Sequence, residues 1–561
     1  MLVDTDVLII GAGLSGIGFA IRLKQKYPQA TFEIYEKAEQ VGGTWWANTY
    51  PGCACDVPSH LYSYSFALNP EWSEQFSPQA EIAAYCRAVS EKYDILRRIT
   101  FRSAVQAATF DEASGTWLVR ILGQQSGQVY ERRSRVLITA VGLLSEPNDC
   151  HIPGAENYKG RLFHSARWDH SFDWAGKDVV VVGNGCSATQ FVPVLTEGSE
   201  SANKVTQFIR QPHWLEERPN PQYGPATKWV FRNVPFMMRL FRCAIFFHLE
   251  SYFSTFKLTS GRKIREQRMK TQTAYIKKHA PEKYHDLLIP KIELGCKRRI
   301  LDTDYLACLH RENMELVHAD PIETITASGV RTRSGREIFA DAVILATGFK
   351  AAQPLFPIEV RGVNGISLTE HWASTPPHVP QAYYGTCVSD FPNMFILFGP
   401  NTATGHTSVI FSVECQIEFT LKVLDPILQG LHHLPPPSLL SRVFLSPFRA
   451  LGSLFTSPRG NPPPNTVTVT RQAEEKESQW IQRASEDFVW TSGCASWYLH
   501  PSGQNTSLYP DSQVMFWWRS WVGPTRGEFV YGRSKSEDGA VAEEQALSER
   551  TVNGDVGRKT K

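Results

Sequence analysis

No charge of one sign dominates this 561-residue chain: 58 Lys and Arg stand against 56 Asp and Glu, for a formal net charge of +2. No basic block stands out either, so a nucleic-acid-binding surface is not expected. The start lacks the basic, apolar and cleavage-site order of a signal peptide. Instead an apolar run, "DVLII" (Asp6 to Ile10), begins almost at Met1, and a cytoplasmic protein is expected. The 11 cysteines show neither metal-ligand spacing nor a disulfide framework, so no metal site is expected. Cys53 and Cys55, in "PGCACD", are separated by one residue, which makes a poor redox dithiol. They read as small packing residues in a reduced compartment. A membrane span needs ~20 uninterrupted apolar residues. The nearest stretch, Val234 to Phe256, is broken by Arg239, Arg242, His248 and Glu250. It reads as a buried helical pair, with reversible surface association as the alternative.

What is present is glycine in two telling places. In "VLIIGAGLSGIGFAIRL" an apolar run leads into Gly11-x-Gly13-x-x-Gly16 and then a helical pattern. Glu36 follows Gly16 by 20 residues, at the end of the next strand, "TFEIYEK". Gly11 permits the tight turn, Gly13 lets backbone approach a pyrophosphate, and Gly16 lets helix pack on strand. The helix N-terminus then offers free N–H groups to the anion, and Glu36 can accept a ribose hydroxyl. The second motif, "DVVVVGNGCSATQFVPVL", carries Gly183-x-Gly185-x-x-Ala188, with Asn184, Ser187 and Thr189 counted in the same turn. Its next strand, "KVTQFIRQP", ends in Arg210 and Gln211 rather than an acid. A cation there suits the 2′-phosphate of NADPH. One acidic and one basic dinucleotide site fit FAD first and NADPH second.

The two halves repeat. A β meander and the apolar strand "RVLITAVG" follow the first motif, and a second meander and "DAVILATGF" follow the second. Between them lies "YKGRLFHSARWD" (Tyr158 to Asp169), where flavin and nicotinamide must meet. This segment resembles the fingerprint F-x-G-x-x-x-H-x-x-x-W-[P/D] of the type I Baeyer–Villiger monooxygenases. Gly160, His164, Trp168 and Asp169 stand at the family spacing, with Tyr158 in place of phenylalanine. "GGTWWANTYPGCACDVPSHLYSYSF", "GCKRRILDTDYL", "FILFGPNTATGH" and "SWYLHPSGQNTSLYP" extend the resemblance over nearly the whole chain. Two of these regions resemble the subgroup that includes hydroxyacetophenone monooxygenases.

The resemblance implies that NADPH reduces FAD, that the reduced flavin forms a peroxyflavin with O2, and that this peroxide attacks a small-molecule ketone to give an ester or lactone. By the same resemblance Arg298 is the catalytic cation, Asp56 faces and orients it, and Lys297 shares the 2′-phosphate with Arg210. Thr44, Trp45, Trp46, Asp56 and Tyr62 are implied around FAD, and His164 is implied in coupling the linker to the NADPH domain. The protein must hold negative charge and exclude water, tasks for a guanidinium that never deprotonates. Oxygenation of sulfur or nitrogen, and electron transfer without oxygenation, stay open as alternatives. No CxxC or Cx4C follows the first glycine motif, which disfavours a disulfide reductase.

The expected fold class is α/β, with two Rossmann-like dinucleotide-binding domains and a helical insertion. The FAD domain is expected at 1–145, completed by 350–430 and 465–525. The NADPH domain takes 146–218 and 290–349, and the aromatic, helical 219–289 is inserted in it. Residues 431–464 read as a Pro/Ser-rich loop and 526–561 as a disordered tail. A monomer or homodimer is expected.

Overall fold

A computed structural model describes residues 3–432, 463–493, 495–523 and 526–534. The strand Thr5–Ile10 is buried along its whole length, as an apolar run must be when helices cover both faces of a parallel sheet. It pairs in parallel with Phe32–Tyr35 on one side and Val129–Thr139 on the other. Ser103–Asp111, Thr116–Gly123 and Val129–Thr139 form the antiparallel meander of the same sheet. Met394–Ile396 adds to it in parallel, beside the end of Val129–Thr139.

The second sheet has five strands, all parallel, in the order Met314–Val317, Lys204–Phe208, Asp178–Val182, Ala342–Leu345 and Arg161–His164. Its meander, Ile322–Thr326, Gly329–Thr332 and Glu337–Phe339, stands apart as a three-stranded sheet. All five strands fall between residues 161 and 345, inside the chain span of the first sheet. The second nucleotide fold is therefore inserted in the first. A mixed and a parallel sheet, each with a glycine turn at the carboxyl end of a central parallel strand, place ligands in the crevice between them.

Residues 219–289 carry helices at Pro225–Asn233, Met237–Glu250, Phe253–Phe256, Arg262–His279 and His285–Leu288. The helix Met237–Glu250 is not one of a buried pair. Phe236 (73% exposed), Leu240 (63%) and Phe247 (64%) face out, while Arg242 is buried. Arg242 Nη1 donates to the carbonyls of His60 (2.8 Å), Leu61 (3.1 Å) and Ser63 (2.8 Å). The charge that interrupts the apolar run helps to fasten this helix to the body of the protein, beside Ile245, Phe246 and Leu249, which pack on the core. Among the described residues, no helix is long and apolar enough to cross a membrane.

The expected tail also needs correction. Phe529–Gly532 is a strand, antiparallel to Thr466–Val469, with Phe529 buried. Short, isolated strands like this one show no periodicity strong enough to read. Asn393 clamps this ribbon to the first sheet, donating to Asn465 O (2.8 Å) and accepting from Val467 N (2.8 Å). Residues 433–462 of the expected loop, and 535–561 of the tail, lie outside the described residues. Because Phe529 seals the ribbon, Phe529→Ala should cost about 3–5 kcal/mol. Urea unfolding of the full chain measures this, and an unchanged midpoint would show that the ribbon is not part of the cooperative fold.

Candidate functional site

The first glycine turn follows the strand Thr5–Ile10. Gly11 has φ +101°, and a Cβ there would lie 2.7 Å from Ala140 O; at Gly16 it would lie 2.0 Å from Gly11 O. Strand and helix approach this closely only because both positions lack side chains. Gly13 begins the helix Leu14–Lys26 without a side-chain cap, so the first-turn N–H groups are left for an anion. It also lies against Gly43, where a Cβ would come 2.9 Å from Gly13 Cα. That contact is not legible in the glycine motif itself. Glu36 is buried on the cavity wall, its carboxylate accepting from the N–H groups of Ala12 (2.6 Å) and Ala38 (2.8 Å).

The helix Thr44–Ala47 carries Thr44, Trp45 and Trp46 along this wall. Trp45 is buried and donates from Nε1 to Tyr62 Oη at 3.1 Å, the rings meeting edge to face. Trp46 is 36% exposed. An indole that open at a cavity mouth is available to a flat ligand.

The second turn repeats the geometry. Gly183 has φ +117° and no room for a Cβ, which would sit 2.4 Å from Ala346 O. Gly185, at the start of the helix Cys186–Leu195, has nothing within 4 Å of its Cβ position. Asn184 Nδ2 donates to Gln211 O (3.0 Å) and Lys297 Nζ to Gln211 Oε1 (2.5 Å). Burial and the Arg210 charge together lower the Lys297 ammonium, which places two cations at one end of the cavity. Ser187 lines the cavity, but Ala188 and Thr189 do not. Both are buried in their helix, where Thr189 Oγ1 bonds the carbonyls of Gly185 and Cys186.

Between the turns, Arg298 Nε donates to Asp56 Oδ2 at 2.7 Å and Nη2 to Oδ1 at 2.8 Å. Burial pushes the Asp56 carboxyl up, but the Arg298 charge and its hydrogen bonds outweigh this and hold it below the usual carboxylate range. Burial likewise opposes the charge on Arg298, and Asp56 more than offsets it. Arg299 turns away, to Glu216 Oε2 (3.1 Å) and the face of Tyr252 (4.6 Å). The sequence reading missed Tyr498, whose buried hydroxyl is pushed up by desolvation and drawn back by the adjacent Arg298. Its signal lay only in the "SWYLHPSGQNTSLYP" segment as a whole. Cys296, just before the basic run, is disulfide-bonded, a departure from the reading of unpaired cysteines. Cys53 and Cys55 are free and buried, as expected.

Of the four fingerprint residues Gly160, His164, Trp168 and Asp169, only His164 lines the cavity, together with the neighbouring Ser165, Ala166 and Arg167. Burial depresses its imidazole to about 4, and its Nδ1 accepts from Ala166 N (3.1 Å). Trp168 packs on Phe163 and on Phe191 of the helix Cys186–Leu195, both at 5.3 Å. Asp169 binds Ser171 and Arg161, and Gly160 is the one residue that fits under Tyr158 and Asp341 O.

Both turns, Trp45, Trp46, Asp56, Arg298, Arg210 and Lys297 line one continuous cavity of about 2290 Å³. Ordinary small-molecule sites occupy ~300–1,000 Å³, so two dinucleotides have room here. Residues 4–368, more than half of the chain, match the flavin-binding monooxygenase-like family. The chain belongs to this family. Among relatives, a Baeyer-Villiger monooxygenase of Pseudomonas aeruginosa is 35% identical over 515 residues, 91% of this chain and 88% of that one. The FAD-binding monooxygenase ktnD of Aspergillus niger is 33% identical over 561 residues, covering 97% and 86%. In fold the chain is similar to OTEMO in complex with FAD and NADP (TM-score 0.76, 22% identity, 95% and 100% covered). It is also similar to oxidized steroid monooxygenase bound to NADP (0.75, 24%, 94% and 99%). The expected α/β class with two dinucleotide folds is borne out.

In this flavin-binding monooxygenase-like protein, Gly16 in the first turn of the helix Leu14–Lys26 and Gly185 at the start of the helix Cys186–Leu195 differ in what surrounds them. Gly16→Ala should fail to fold or to hold FAD, because the new methyl lands on backbone. Gly185→Ala should fold and stay yellow while its KM for NADPH rises, because its methyl enters the cavity. Flavin content and NADPH titration check both, and a yellow, stable Gly16→Ala protein would show that the turn can relax.

Proposed function

We propose that this chain is an FAD- and NADPH-dependent Baeyer–Villiger monooxygenase. It takes a small-molecule ketone, O2, NADPH and a proton to an ester or lactone, water and NADP⁺. The observation that carries the reading is Arg298, held at two points by Asp56 in the wall of a cavity that joins both glycine turns. The cradles fit the two groups: uncapped helix starts at Gly13 and Gly185 face the cavity, and the buried Glu36 carboxylate stands on its wall. When bound, FAD and NADPH supply the reducing equivalents and the activation of O2.

The chain's own residues do the rest. Arg298 holds the negative charge that develops on oxygen as the ketone is oxygenated, and Asp56 keeps its plane from turning. Such a charge acts strongly in a water-poor site because it is oriented beforehand. Arg210 and Lys297 receive the 2′-phosphate, framed by Asn184 and Gln211. His164 and Trp168 tie the linker to the NADPH-binding fold, with residues 1–145, 350–430 and 465–525 forming the FAD-binding part. Ala188 and Thr189 shape the helix rather than touch a ligand.

Two cations, Arg210 and Lys297, should favour NADPH over NADH by at least tenfold, about 1.4 kcal/mol. Steady-state kinetics with both nucleotides test this, and equal efficiency would remove the 2′-phosphate from this end of the cavity.

Removal of Arg298 should leave both glycine turns intact. Arg298→Ala should therefore keep FAD and oxidise some NADPH while product formation falls about 10²–10³-fold. Arg298→Lys should recover little, since an ammonium lacks the planar fork. Product per NADPH is the decisive ratio, with Arg299→Ala alongside. A coupled Arg298→Ala beside an uncoupled Arg299→Ala would move the role to Arg299; coupling in both would sink the mechanism.

A further inference from the structure

Beside the Arg298–Asp56 pair is a small cleft that Gly405 and His406 help to line. The His406 ring is buried against Phe253 and Phe256, with centroids 5.6 Å from each. Both ring nitrogens are engaged: Nε2 lies 2.9 Å from Glu250 Oε2, and Nδ1 lies 3.1 Å from Thr404 Oγ1. The other oxygen of Glu250 accepts from the N–H of Gln513 (2.8 Å) and, at longer range, that of Val514 (3.4 Å). These groups begin the helix Gln513–Val522. Thr404 Oγ1 also accepts from Thr407 Oγ1 (3.3 Å), Thr407 N (3.3 Å) and His406 N (3.4 Å). Thr404 and Thr407 both line the large cavity. A continuous chain of contacts thus runs from Glu250, in the helical insertion, to the cavity wall.

Its direction follows from the donor inventory. A carboxylate only accepts, and the other oxygen of Glu250 is already taken by the N–H groups of Gln513 and Val514. The proton of a neutral His406 therefore sits on Nε2, facing Glu250. Nδ1 is left with a lone pair, so Thr404 donates its single hydroxyl hydrogen there. Its oxygen can then take the hydrogen of Thr407, and the lone pairs of Thr407 are left for the cavity.

We propose that Glu250 is a positioning residue: by holding His406 as the Nε2–H tautomer, it makes the Thr407 hydroxyl an acceptor toward the cavity. The inference rests on the reading of Arg298 given above. An acceptor in the same cavity as that cation does not compete for the anionic oxygen. It binds instead a donor, such as an amide N–H or sugar hydroxyl of a bound dinucleotide.

Glu250→Gln separates polarity from shape. The amide oxygen can still accept from Gln513 and Val514, while its NH2 faces Nε2 and forces the proton onto Nδ1. Long-range ¹H–¹⁵N spectra of histidine-labelled, FAD-loaded full-length protein report the tautomer, with His406→Gln to assign the signal. The Nε2–H form is expected in the wild type and the Nδ1–H form in Glu250→Gln. Ester or lactone formed per NADPH should fall roughly threefold or more in Glu250→Gln, with hydrogen peroxide making up the difference and flavin content unchanged. Thr407→Val should uncouple similarly and Thr407→Ser should not, which keeps the test alive if Glu250→Gln misfolds. An Nδ1–H or doubly protonated His406 in the wild type overturns the proposal, as does a tautomer switch that leaves coupling intact. Should the wild type oxygenate no ketone, the reading of the reaction fails, while the tautomer spectra still decide the Glu250–His406 arrangement.

Discussion

Arg298 and Asp56 come from opposite halves of the nucleotide-binding architecture, 242 residues apart in the chain. Their two parallel hydrogen bonds require the guanidinium and carboxylate planes to align. That requirement fixes how the stretch after the first glycine turn approaches the return segment of the inserted fold. Either charge left alone in this half-enclosed position would be costly, because it would lose water without gaining a partner. The cavity exists in its present shape because the two folds meet at this pair.

Other buried guanidiniums serve the same region by binding backbone carbonyls in addition to a carboxylate, Glu414 beside Arg242 (3.5 Å) and Glu293 beside Arg265. Arg242 collects three carbonyls from His60 to Ser63, in the segment that follows Asp56. Arg218 reaches the carbonyl of Phe76 at 3.0 Å. Arg265 ties the next helix to the carbonyls of Lys257 (2.8 Å) and Leu258 (3.0 Å). A planar, permanently charged fork can satisfy several carbonyls at once. The helical insertion is thus held by these polar contacts together with buried apolar residues such as Leu249, Ile276 and Leu288, while Phe236, Leu240 and Phe247 stay on its outer face.

The linker acts through packing. Its strand Arg161–His164 is the edge of the second sheet, and Trp168 rests on Phe191, which also meets Tyr50 at 6.0 Å. Phe191 therefore touches both the linker and the loop after the FAD-side tryptophans. In a close-packed interior such a contact transmits displacement. That is the physical basis for giving His164 and Trp168 a coupling role rather than a chemical one.

What could be read along the chain was local. Strand, glycine turn and helix are neighbours in sequence, and the steric demands on Gly11, Gly16 and Gly183 are met within a few residues or by one adjacent strand. Two such units, one followed by Glu36 and the other by Arg210, were enough for the α/β class and the two cofactors, and the monooxygenase family was legible in Gly160, His164, Trp168 and Asp169 of the linker between them. Contacts between distant segments leave no periodicity to read. Only the folded chain turns Arg299 to Glu216, buries Ala188 and Thr189 behind the turn, and pairs Phe529–Gly532 with Thr466–Val469. The same holds for Glu250: in sequence it is a charge that breaks an apolar run, and in space it is the acid beside His406. Side-chain direction and hydrogen-bond polarity depend on what lies opposite, and the tertiary structure alone decides that.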